Sequence, residues 1–181
     1  MSRLHYNVAT SLDGYIASLD GSTDWIVHDS SIDFDALYAG FDCFVMGRKT
    51  YEVMQSLGGP DGNPLSKRPR ESVIVASRTM KQQDFPDITV ISGNVIEHIR
   101  NLKSVDGRDI WLMGGGKLAT QCLEVGLVDC VEAAIMPVML GDGIKLIEHV
   151  SSNIRLWLSE SRVLKTGIVM TQYTVIPRQN E

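Results

Sequence analysis

Three short stretches of the chain place glycine, hydroxyl or basic side chains directly after apolar runs, a combination suited to binding phosphate. They are Gly47-Arg48-Lys49-Thr50, Ser77-Arg78 and Gly114-Gly115-Gly116-Lys117. A helix that begins at a glycine turn directs free N–H groups and the positive end of its dipole at one spot. Arginine and hydroxyl side chains suit a terminal phosphate monoester. The sequence therefore predicts that these stretches share one polyphosphate ligand.

The glycine triplet taken alone is also compatible with a tight strand-to-helix turn that binds nothing. Two common nucleotide motifs do not fit it. A P-loop needs glycine five residues before its Gly-Lys pair and Ser or Thr after it, where this chain has Trp111 and Leu118. The Rossmann fingerprint needs a sixth-position glycine, where Ala119 stands, and belongs to the first strand of a domain. A phosphate site at this turn therefore requires another fold.

The identity of the ligand follows from the division of chemistry among the three stretches. A glycine turn at a helix start suits a pyrophosphate, whereas Arg78, directly after an apolar strand, suits a separate phosphate monoester. NADPH carries both groups and NADH lacks the monoester. The sequence therefore predicts NADPH as the cofactor. The basic run over residues 67–70 is interpreted as a solvated loop.

Alternating strands and helices are needed to bring these stretches together. Ligands of open α/β sheets bind at the carboxyl ends of the strands, where all three stretches would lie. The pattern predicts an α/β fold with a mostly parallel sheet and an antiparallel C-terminal hairpin. The predicted strands cover residues 3–10, 42–46, 72–76, 88–91, 110–113, 128–136, 154–164 and 168–176. The predicted helices cover residues 33–40 (with Ser31 or Asp33 as N-cap), 48–54, 95–102 and 117–123, and the predicted loops 11–25, 57–70 and 137–143.

Composition narrows the class of protein. The 181 residues fit one domain, residues 1–181, and the balance of 44% hydrophobic and 22% charged residues is typical of a soluble globular protein. A net charge of −5 argues against a nucleic-acid or membrane-surface partner. Three cysteines in apolar segments and the absence of a signal-peptide core indicate buried thiols in the cytoplasm. The four histidines lack metal-ligand spacing, so no metal is expected.

The run from Phe44 to Glu52, FVMGRKTYE, resembles the "MGRxTxE" segment of dihydrofolate reductases, and Met113 to Gly116 resembles their "GGG" turn. The chain is more similar to the C-terminal reductase domain of bifunctional riboflavin deaminase-reductases. That similarity rests on "SLDG" at residues 11–14 and "P-x-x-LGxG" at residues 137–143. The resemblance implies a dihydrofolate-reductase-like three-layer α/β/α fold, NADPH and a homodimer.

The resemblance also implies roles for individual residues. Asp13 and Trp25 would lie on a mobile active-site loop, with Asp13 or a loop-held water as the proton source. The Asp13-Gly14 pair is equally a turn signal. Ala9 would meet the nicotinamide carboxamide. The phosphates would be held by Gly47, Arg48, Lys49 and Thr50, the 2′-phosphate by Ser77 and Arg78, and the pyrophosphate and nicotinamide ribose by Gly114, Gly115, Gly116, Lys117 and Leu118.

One departure concerns the substrate. Dihydrofolate reductases place an acid sixteen residues before the glycine of "MGR", where this chain has Ser31, which argues against folate. The chain shows no zinc-deaminase half, so a stand-alone reductase domain is expected. The predicted reaction is hydride transfer from NADPH to a pyrimidine-like, pterin-like or ribosylaminouracil-phosphate substrate. The alternatives are an NADP(H)-binding module or sensor without turnover, and a dihydrofolate reductase.

Overall fold

The computed structural model of the protein describes residues 1–56 and 62–178, and the first part of the predicted 57–70 loop lies outside this range. Ten strands and four α-helices make up the described chain. The strands are β1 (Leu4–Ser11), β2 (Tyr15–Ala17), β3 (Phe41–Gly47), β4 (Val73–Ala76), β5 (Thr89–Ile91), β6 (Asp109–Gly114), β7 (Cys130–Met136), β8 (Ile144–Lys145), β9 (Leu156–Val163) and β10 (Val169–Val175). The helices are α1 (Phe34–Ala39), α2 (Arg48–Ser56), α3 (Val95–Ser104) and α4 (Gly116–Glu124).

Eight of the strands form one mixed sheet in the order β5-β4-β3-β6-β1-β7-β10-β9. The pairs from β5 to β7 are all parallel, whereas β10 runs antiparallel to both β7 and β9. The predicted mostly parallel α/β sheet with an antiparallel C-terminal hairpin is confirmed. Parallel strands require crossover connections, which explains why helices separate the first strands of the chain.

The two faces of the sheet carry separate hydrophobic cores, because successive side chains of a strand point to opposite faces. Tyr6 and Leu112 face α3 and α4 and pack with Ile99 and Cys122. On the other face, a second core surrounds Phe44 and includes side chains of α1 and α2. Further along that face, the segment over residues 25–32 packs against Met136, Leu164 and Ile168. Helices on both faces give the predicted three-layer arrangement.

The structure adds detail that the sequence pattern did not predict. Within the predicted 11–25 loop, β2 forms a short antiparallel pair with β8, which follows the predicted 137–143 turn. At α1, Asp33 is the N-cap, because its side chain accepts a hydrogen bond from the Ala36 amide at 2.9 Å. Ser31, the other predicted cap, instead donates to Asp29 Oδ1 at 2.6 Å.

The three cysteines are all buried and free, as predicted. Burial raises the pKa of the Cys43 and Cys122 thiols to about 12, so both stay protonated at neutral pH. Over residues 1–56 and 62–178, no helix combines the length and the apolar character that a membrane crossing requires.

Candidate active site

The three predicted phosphate stretches meet at one edge of the sheet. They follow β3, β4 and β6, which are neighbours in the order β4-β3-β6, so their carboxyl ends lie side by side. A cleft of about 1690 Å³ opens there. That volume exceeds the 300–1,000 Å³ typical of a site for a single small ligand. Predicted site residues lining the cleft are Ala9, residues 47–50, Ser77, Arg78 and residues 115–118.

The glycine triplet forms the turn from β6 into α4. Gly114 has a φ of 118°, which L side chains rarely adopt, and the Gly114–Gly115 peptide bond is cis. Close packing excludes a side chain at Gly116. A Cβ there would overlap the Lys145 carbonyl oxygen and lie 2.9 Å from the Leu146 carbonyl oxygen. Backbone conformation and close packing therefore both select glycine at this turn.

Gly115 is the member of the triplet that leaves room for a ligand. It is the N-cap of α4, and no side chain caps this helix end. A Cβ built on Gly115 would come no closer than 3.9 Å to Ile16 and 4.0 Å to Thr50. The missing side chain thus leaves a cradle between cleft residues at the positive end of α4. This is the backbone geometry that an anion needs.

The start of α2 contributes the second cation-bearing turn. Gly47 ends β3, and a Cβ there would lie 3.8 Å from the Gly115 amide nitrogen, so the two glycine turns are adjacent. Arg48 forms a solvent-exposed ion pair with Glu52 at 3.2 Å, one helical turn later. An exposed pair of this kind contributes little to stability, so a phosphate can compete for the guanidinium. Lys49 is exposed and also lines the cleft.

Ser77 and Arg78, at the end of β4, complete the basic side of the cleft. The Ser77 hydroxyl oxygen accepts hydrogen bonds from the Thr79 and Met80 amides at 3.2 and 3.1 Å, which folds the segment into a tight turn. Arg78 is exposed and lines the cleft. Among the residues that the structure describes, its guanidinium has no carboxylate within salt-bridge distance. The turn therefore presents a cation whose charge is available to a ligand.

The cleft is locally basic although the chain is acidic. Five lysine or arginine side chains line it against three carboxylates, whereas the whole chain has a net charge of −5. The additional cation is Lys145 of β8, which sequence analysis did not select. A concave surface with an excess of cations attracts a polyanionic ligand. Charge and backbone geometry thus favour the same kind of ligand.

The other half of the cleft has an apolar floor. It consists of side chains from the middle of the sheet, including Ala9 of β1, Ala134 and Met136 of β7, and Met170 of β10. Asn7 is a polar side chain on this same face of β1. Apolar surface with a few polar groups is the lining that planar heterocycles need. The cleft therefore combines a basic half that suits phosphate groups with an apolar half that suits a heterocycle.

Neither predicted catalytic residue lines the cleft. The Asp13 carboxylate accepts hydrogen bonds from the Ser11 hydroxyl at 2.6 Å and from the Leu140 and Gly141 amides at 3.1 and 2.7 Å. These donors lower the pKa of Asp13 from 3.8 to about 2, so at neutral pH it has no proton to give. Asp13 thus joins the end of β1 to the loop before β8, which is the turn role left open by its Asp-Gly sequence.

Trp25 packs with Leu164 and Ile168 below the cleft, while its neighbours Asp24 and Ile26 line it. Its indole nitrogen is buried without a hydrogen-bond partner among the described residues. Trp25 therefore anchors the segment that borders the cleft, and the structure places no part of it against the space available to a substrate.

Two acidic residues near Ser31 are candidates to replace the acid that dihydrofolate reductases place at that position. Asp33 caps α1 and is exposed, so it does not replace the missing acid at Ser31. Asp29 does line the cleft, but it accepts hydrogen bonds from Ser31 and from the Thr166 hydroxyl, the latter at 2.6 Å. These bonds lower its pKa to about 2. Asp29 is therefore committed to holding the loop against the β9–β10 turn.

Long-range pairing creates one polar cluster that sequence spacing did not reveal. Ligand-type atoms of His5, Cys130 and Glu132 lie within 4.8 Å of one another, although the chain separates His5 from the other two. The Arg3 guanidinium donates to the Cys130 sulfur at 3.2 Å, and Glu132 Oε1 lies 2.6 Å from His5 Nδ1. A cation beside the thiol disfavours a metal ion here. One sign of this cluster is present in the sequence, where His5 and Asn7 stand within the largely apolar strand β1.

Comparison with known proteins identifies the family that the chain resembles. The profile of the RibD C-terminal domain matches residues 3–170. YyaP of Bacillus subtilis (strain 168) is 30% identical over 177 residues, covering 94% of both chains. The riboflavin biosynthesis protein RibD of Corynebacterium ammoniagenes is 25% identical over 162 residues, covering 80% of this chain and 46% of that protein. The chain thus spans about half the length of that relative.

Solved structures agree with this assignment. The crystal structure of a Shewanella sp. PV-4 protein has a TM-score of 0.79 at 27% identity, covering 98% of this chain and 100% of that one. The diaminohydroxyphosphoribosylaminopyrimidine deaminase/5-amino-6-(5-phosphoribosylamino)uracil reductase of Thermotoga maritima has a TM-score of 0.68 at 18% identity, and the match covers 57% of that chain. With the family profile spanning most of the sequence, the chain belongs to the RibD C-terminal domain family.

Proposed function

We propose that the protein is an NADPH-dependent reductase of riboflavin-biosynthesis type. The observation that carries the proposal is the meeting of three cation- or glycine-bearing strand ends in one cleft whose other half is apolar. A basic edge beside an apolar floor suits a dinucleotide whose nicotinamide ring lies next to the ring of a substrate. Membership of the RibD C-terminal domain family supports an oxidoreductase.

The residues present fit NADPH. The Gly115 cradle at the start of α4 suits the pyrophosphate, and Thr50, close to the same cradle, offers a hydroxyl donor. Lys49 and Arg48 supply charge beside it. Arg78, exposed at the end of β4, suits the 2′-phosphate that distinguishes NADPH from NADH. Ala9, on the apolar floor, allows a flat nicotinamide ring to lie against β1.

When bound, NADPH supplies the hydride, and the protein orients the two rings and excludes water between them. The apolar floor at Ala9, Met136 and Met170 provides the dry surface. Reduction of a C=O or C=N bond also consumes a proton. Asp13 stays ionised at neutral pH, so the proton source that we propose is a water held by the loop over residues 11–25, part of which lines the cleft.

The substrate class that we propose is a pyrimidine-like or pterin-like ring, including a ribosylaminouracil phosphate. The Thermotoga maritima structure carries the name of a 5-amino-6-(5-phosphoribosylamino)uracil reductase. In this protein, Lys145 lines the cleft and is not among the residues assigned to the cofactor phosphates. Its charge is suited to a phosphate on the substrate's sugar.

The test is oxidation of NADPH, followed by its absorbance, with 5-amino-6-(5-phosphoribosylamino)uracil and dihydrofolate as substrates. We expect turnover with the uracil compound and little with dihydrofolate, because Asp33 and Asp29 are both committed to internal hydrogen bonds. Turnover with dihydrofolate alone would contradict the substrate class. Failure of NADPH to bind would contradict the proposal as a whole.

A binding module without turnover is the second candidate, and one observation favours it. The acid that the family resemblance placed on the active-site loop, Asp13, has no proton to give at neutral pH. A module would bind NADPH with the affinity of the reductase yet leave the absorbance unchanged with every substrate tested. Titration of nicotinamide fluorescence beside the turnover assay separates the two functions.

We propose further that two copies of the chain pair through β9. This strand ends the sheet, all eight of its residues are exposed, and Trp157 and Val163 are exposed by 68% and 71%. A free sheet edge with apolar side chains is a template for a second strand. Antiparallel pairing about a two-fold axis at Ser161 sets Glu160 opposite Arg162 of the second copy.

Light scattering during size-exclusion chromatography tests the dimer. We expect a mass near twice 20.0 kDa. Arg162→Glu sets like charges opposite each other at both ends of the pair, so the dimer should dissociate at concentrations that leave the wild type intact. The double variant Glu160→Arg with Arg162→Glu should restore it. If the double variant did not restore the dimer, the interface would lie elsewhere on the protein.

A further inference from the structure

A series of polar contacts runs along one face of the sheet, from the cleft floor towards the start of β6. Asn7 Nδ2 donates to Glu132 Oε2 at 2.6 Å, and Glu132 Oε1 lies 2.6 Å from His5 Nδ1. His5 Nε2 then lies 2.9 Å from Asp109 Oδ2, although the ring is not aligned for a hydrogen bond. This series of contacts begins in the cleft, because Asn7 is one of the residues that line the cleft.

Asn7 is held in place from three sides. Its backbone belongs to β1, which pairs with β7 on one side and β6 on the other. Its carbonyl oxygen accepts a hydrogen bond from the indole nitrogen of Trp111 at 2.8 Å. Its side-chain nitrogen is bound to Glu132. A group fixed in this way meets a ligand without further loss of conformational freedom.

The partner of Asn7 decides which way its amide points. A carboxylate only accepts hydrogen bonds, so the NH₂ group must face Glu132 and Oδ1 must face away from it. Oδ1 accepts no hydrogen bond from the residues that the structure describes, and it is not closed off from solvent. The floor of the cleft therefore presents one oriented acceptor, two residues along β1 from Ala9.

Glu132 is itself held by the rest of the chain. Its partner His5 is 7% exposed and packs edge-on against Phe41, so the imidazole has little freedom to move. A partly buried carboxylate is costly unless its oxygens are hydrogen-bonded, and Asn7 and His5 occupy one oxygen each. Rotation of the Asn7 amide would set two acceptors against each other. The arrangement is therefore locked.

We propose that Asn7 selects the second ligand by accepting an N–H group of its ring, with Glu132 and His5 as positioning residues. The inference rests on the proposed function, since the second ring would lie beside the nicotinamide near Ala9. The substrates that it favours are lactams and imides, such as pyrimidinediones that carry a ring N–H. A carbonyl oxygen or an N-methyl group at that position would leave Oδ1 unpaired.

The test compares 5,6-diaminouracil with its 1,3-dimethyl derivative, in which both ring N–H groups are blocked. Calorimetric titrations are run with and without NADPH. We expect the wild type to prefer the N–H compound by about 10-fold or more, from the loss of one hydrogen bond in a partly buried site. Asn7→Leu should reduce the preference to within about twofold and leave the affinity for NADPH unchanged.

The variant Glu132→Gln tests the positioning role while the Asn7 side chain itself is retained. An amide side chain offers an oxygen or an NH₂ group to its neighbour, so the Asn7 amide is no longer forced into one orientation and the preference should fall. A role in stability alone would lower the melting temperature without changing the preference. Gln172→Leu is the matched control, because it removes an amide beside Glu132 that contacts Cys130 and does not line the cleft. Its preference should equal that of the wild type.

Equal affinity of the wild type for the two compounds, no binding of either, or an unchanged preference in Asn7→Leu would each overturn the role of Asn7. An unchanged preference in Glu132→Gln would overturn the positioning role. Failure of NADPH to bind would instead overturn the proposed function, and titrations without cofactor would still report on Asn7. The two failures are therefore distinguishable.

Discussion

Alanine at two adjacent glycines, Gly115 and Gly116, should separate ligand binding from stability. At Gly116 the new Cβ would overlap one carbonyl oxygen of β8 and lie 2.9 Å from the carbonyl oxygen of Leu146, where about 3.3 Å is the ordinary contact. Both neighbours are backbone atoms that cannot rotate away. Overpacking of this kind costs about 1–3 kcal/mol, and the upper part of that range applies here. The melting temperature of Gly116→Ala should therefore fall by roughly 4–12 °C.

Gly115→Ala should behave differently although it lies one residue earlier. Its φ of −81° is accessible to alanine, and the nearest atoms would lie at ordinary contact distances of 3.9 and 4.0 Å. The entropy lost by the unfolded chain roughly offsets the weaker N-cap, so the melting temperature should change by less than about 2 °C. The methyl group fills the cradle and separates a phosphate from the α4 amides. Loss of such a charged hydrogen bond should weaken NADPH binding by about 10–100-fold.

The assay pairs differential scanning fluorimetry with titration of nicotinamide fluorescence for the wild type and both variants. Two results would refute the reasoning. If Gly115→Ala bound NADPH as the wild type does, the cofactor would not lie against this turn. If Gly115→Ala lost as much stability as Gly116→Ala, the space around Gly115 would be too small for a methyl group, contrary to the structure.

Three further predictions concern charges and caps. Arg78→Ala should weaken NADPH binding by about 10–100-fold but NADH binding by less than about twofold, measured by fluorescence titration, because only NADPH has the 2′-phosphate; equal losses would move that phosphate elsewhere. The folded-state pKa values of Asp13 and Asp29, both about 2, lie below the ordinary 3.8, so their ionised forms stabilise the fold above pH 4 and the contribution is lost as the pH falls from about 4 to about 2. Asp13→Asn and Asp29→Asn should therefore flatten the melting temperature between those pH values, and an unchanged acid limb would contradict the assigned hydrogen bonds. Asp33→Ala removes the N-cap of α1 and should lower the melting temperature by roughly 2–4 °C without changing NADPH affinity, and a loss of affinity would mean that this side chain also serves the site.

The sequence predicted the strand-to-helix turns of the basic half of the cleft because their signals are local. The turn at Gly47 and the turn at Gly114 each join an apolar strand to a helix, and each element is long enough to show its own period. Their convergence followed from the rule that parallel strands share a carboxyl edge. The order β4-β3-β6 confirms it. Strand ends shifted by one or two residues, since hydrogen-bond partners rather than side-chain pattern set the last paired residue.

Features made by distant partners escaped prediction. The strands β2 and β8 have three and two residues and exist only because Tyr15 pairs with Lys145, more than a hundred residues away. The resemblance placed Asp13 and Trp25 on an active-site loop, and in the structure neither side chain lines the cleft. Their roles depended on contacts with Gly141 and Leu164 that no local pattern contains. A motif locates a side chain along the chain, and only the folded neighbours decide whether it faces a ligand.

The two halves of the cleft differ in what a substitution can change. The phosphate half is built from backbone turns, where Gly114 and Gly116 are fixed by conformation and packing. The ring half is built from side chains of β1, β7 and β10 that point to one face of a rigid sheet. A change at Asn7 or Met170 would alter the surface offered to the proposed second ring without moving a backbone atom of these turns. On this proposal, the choice of ring can change while the cofactor stays the same, and the measured preference at Asn7 would show which ring this chain takes.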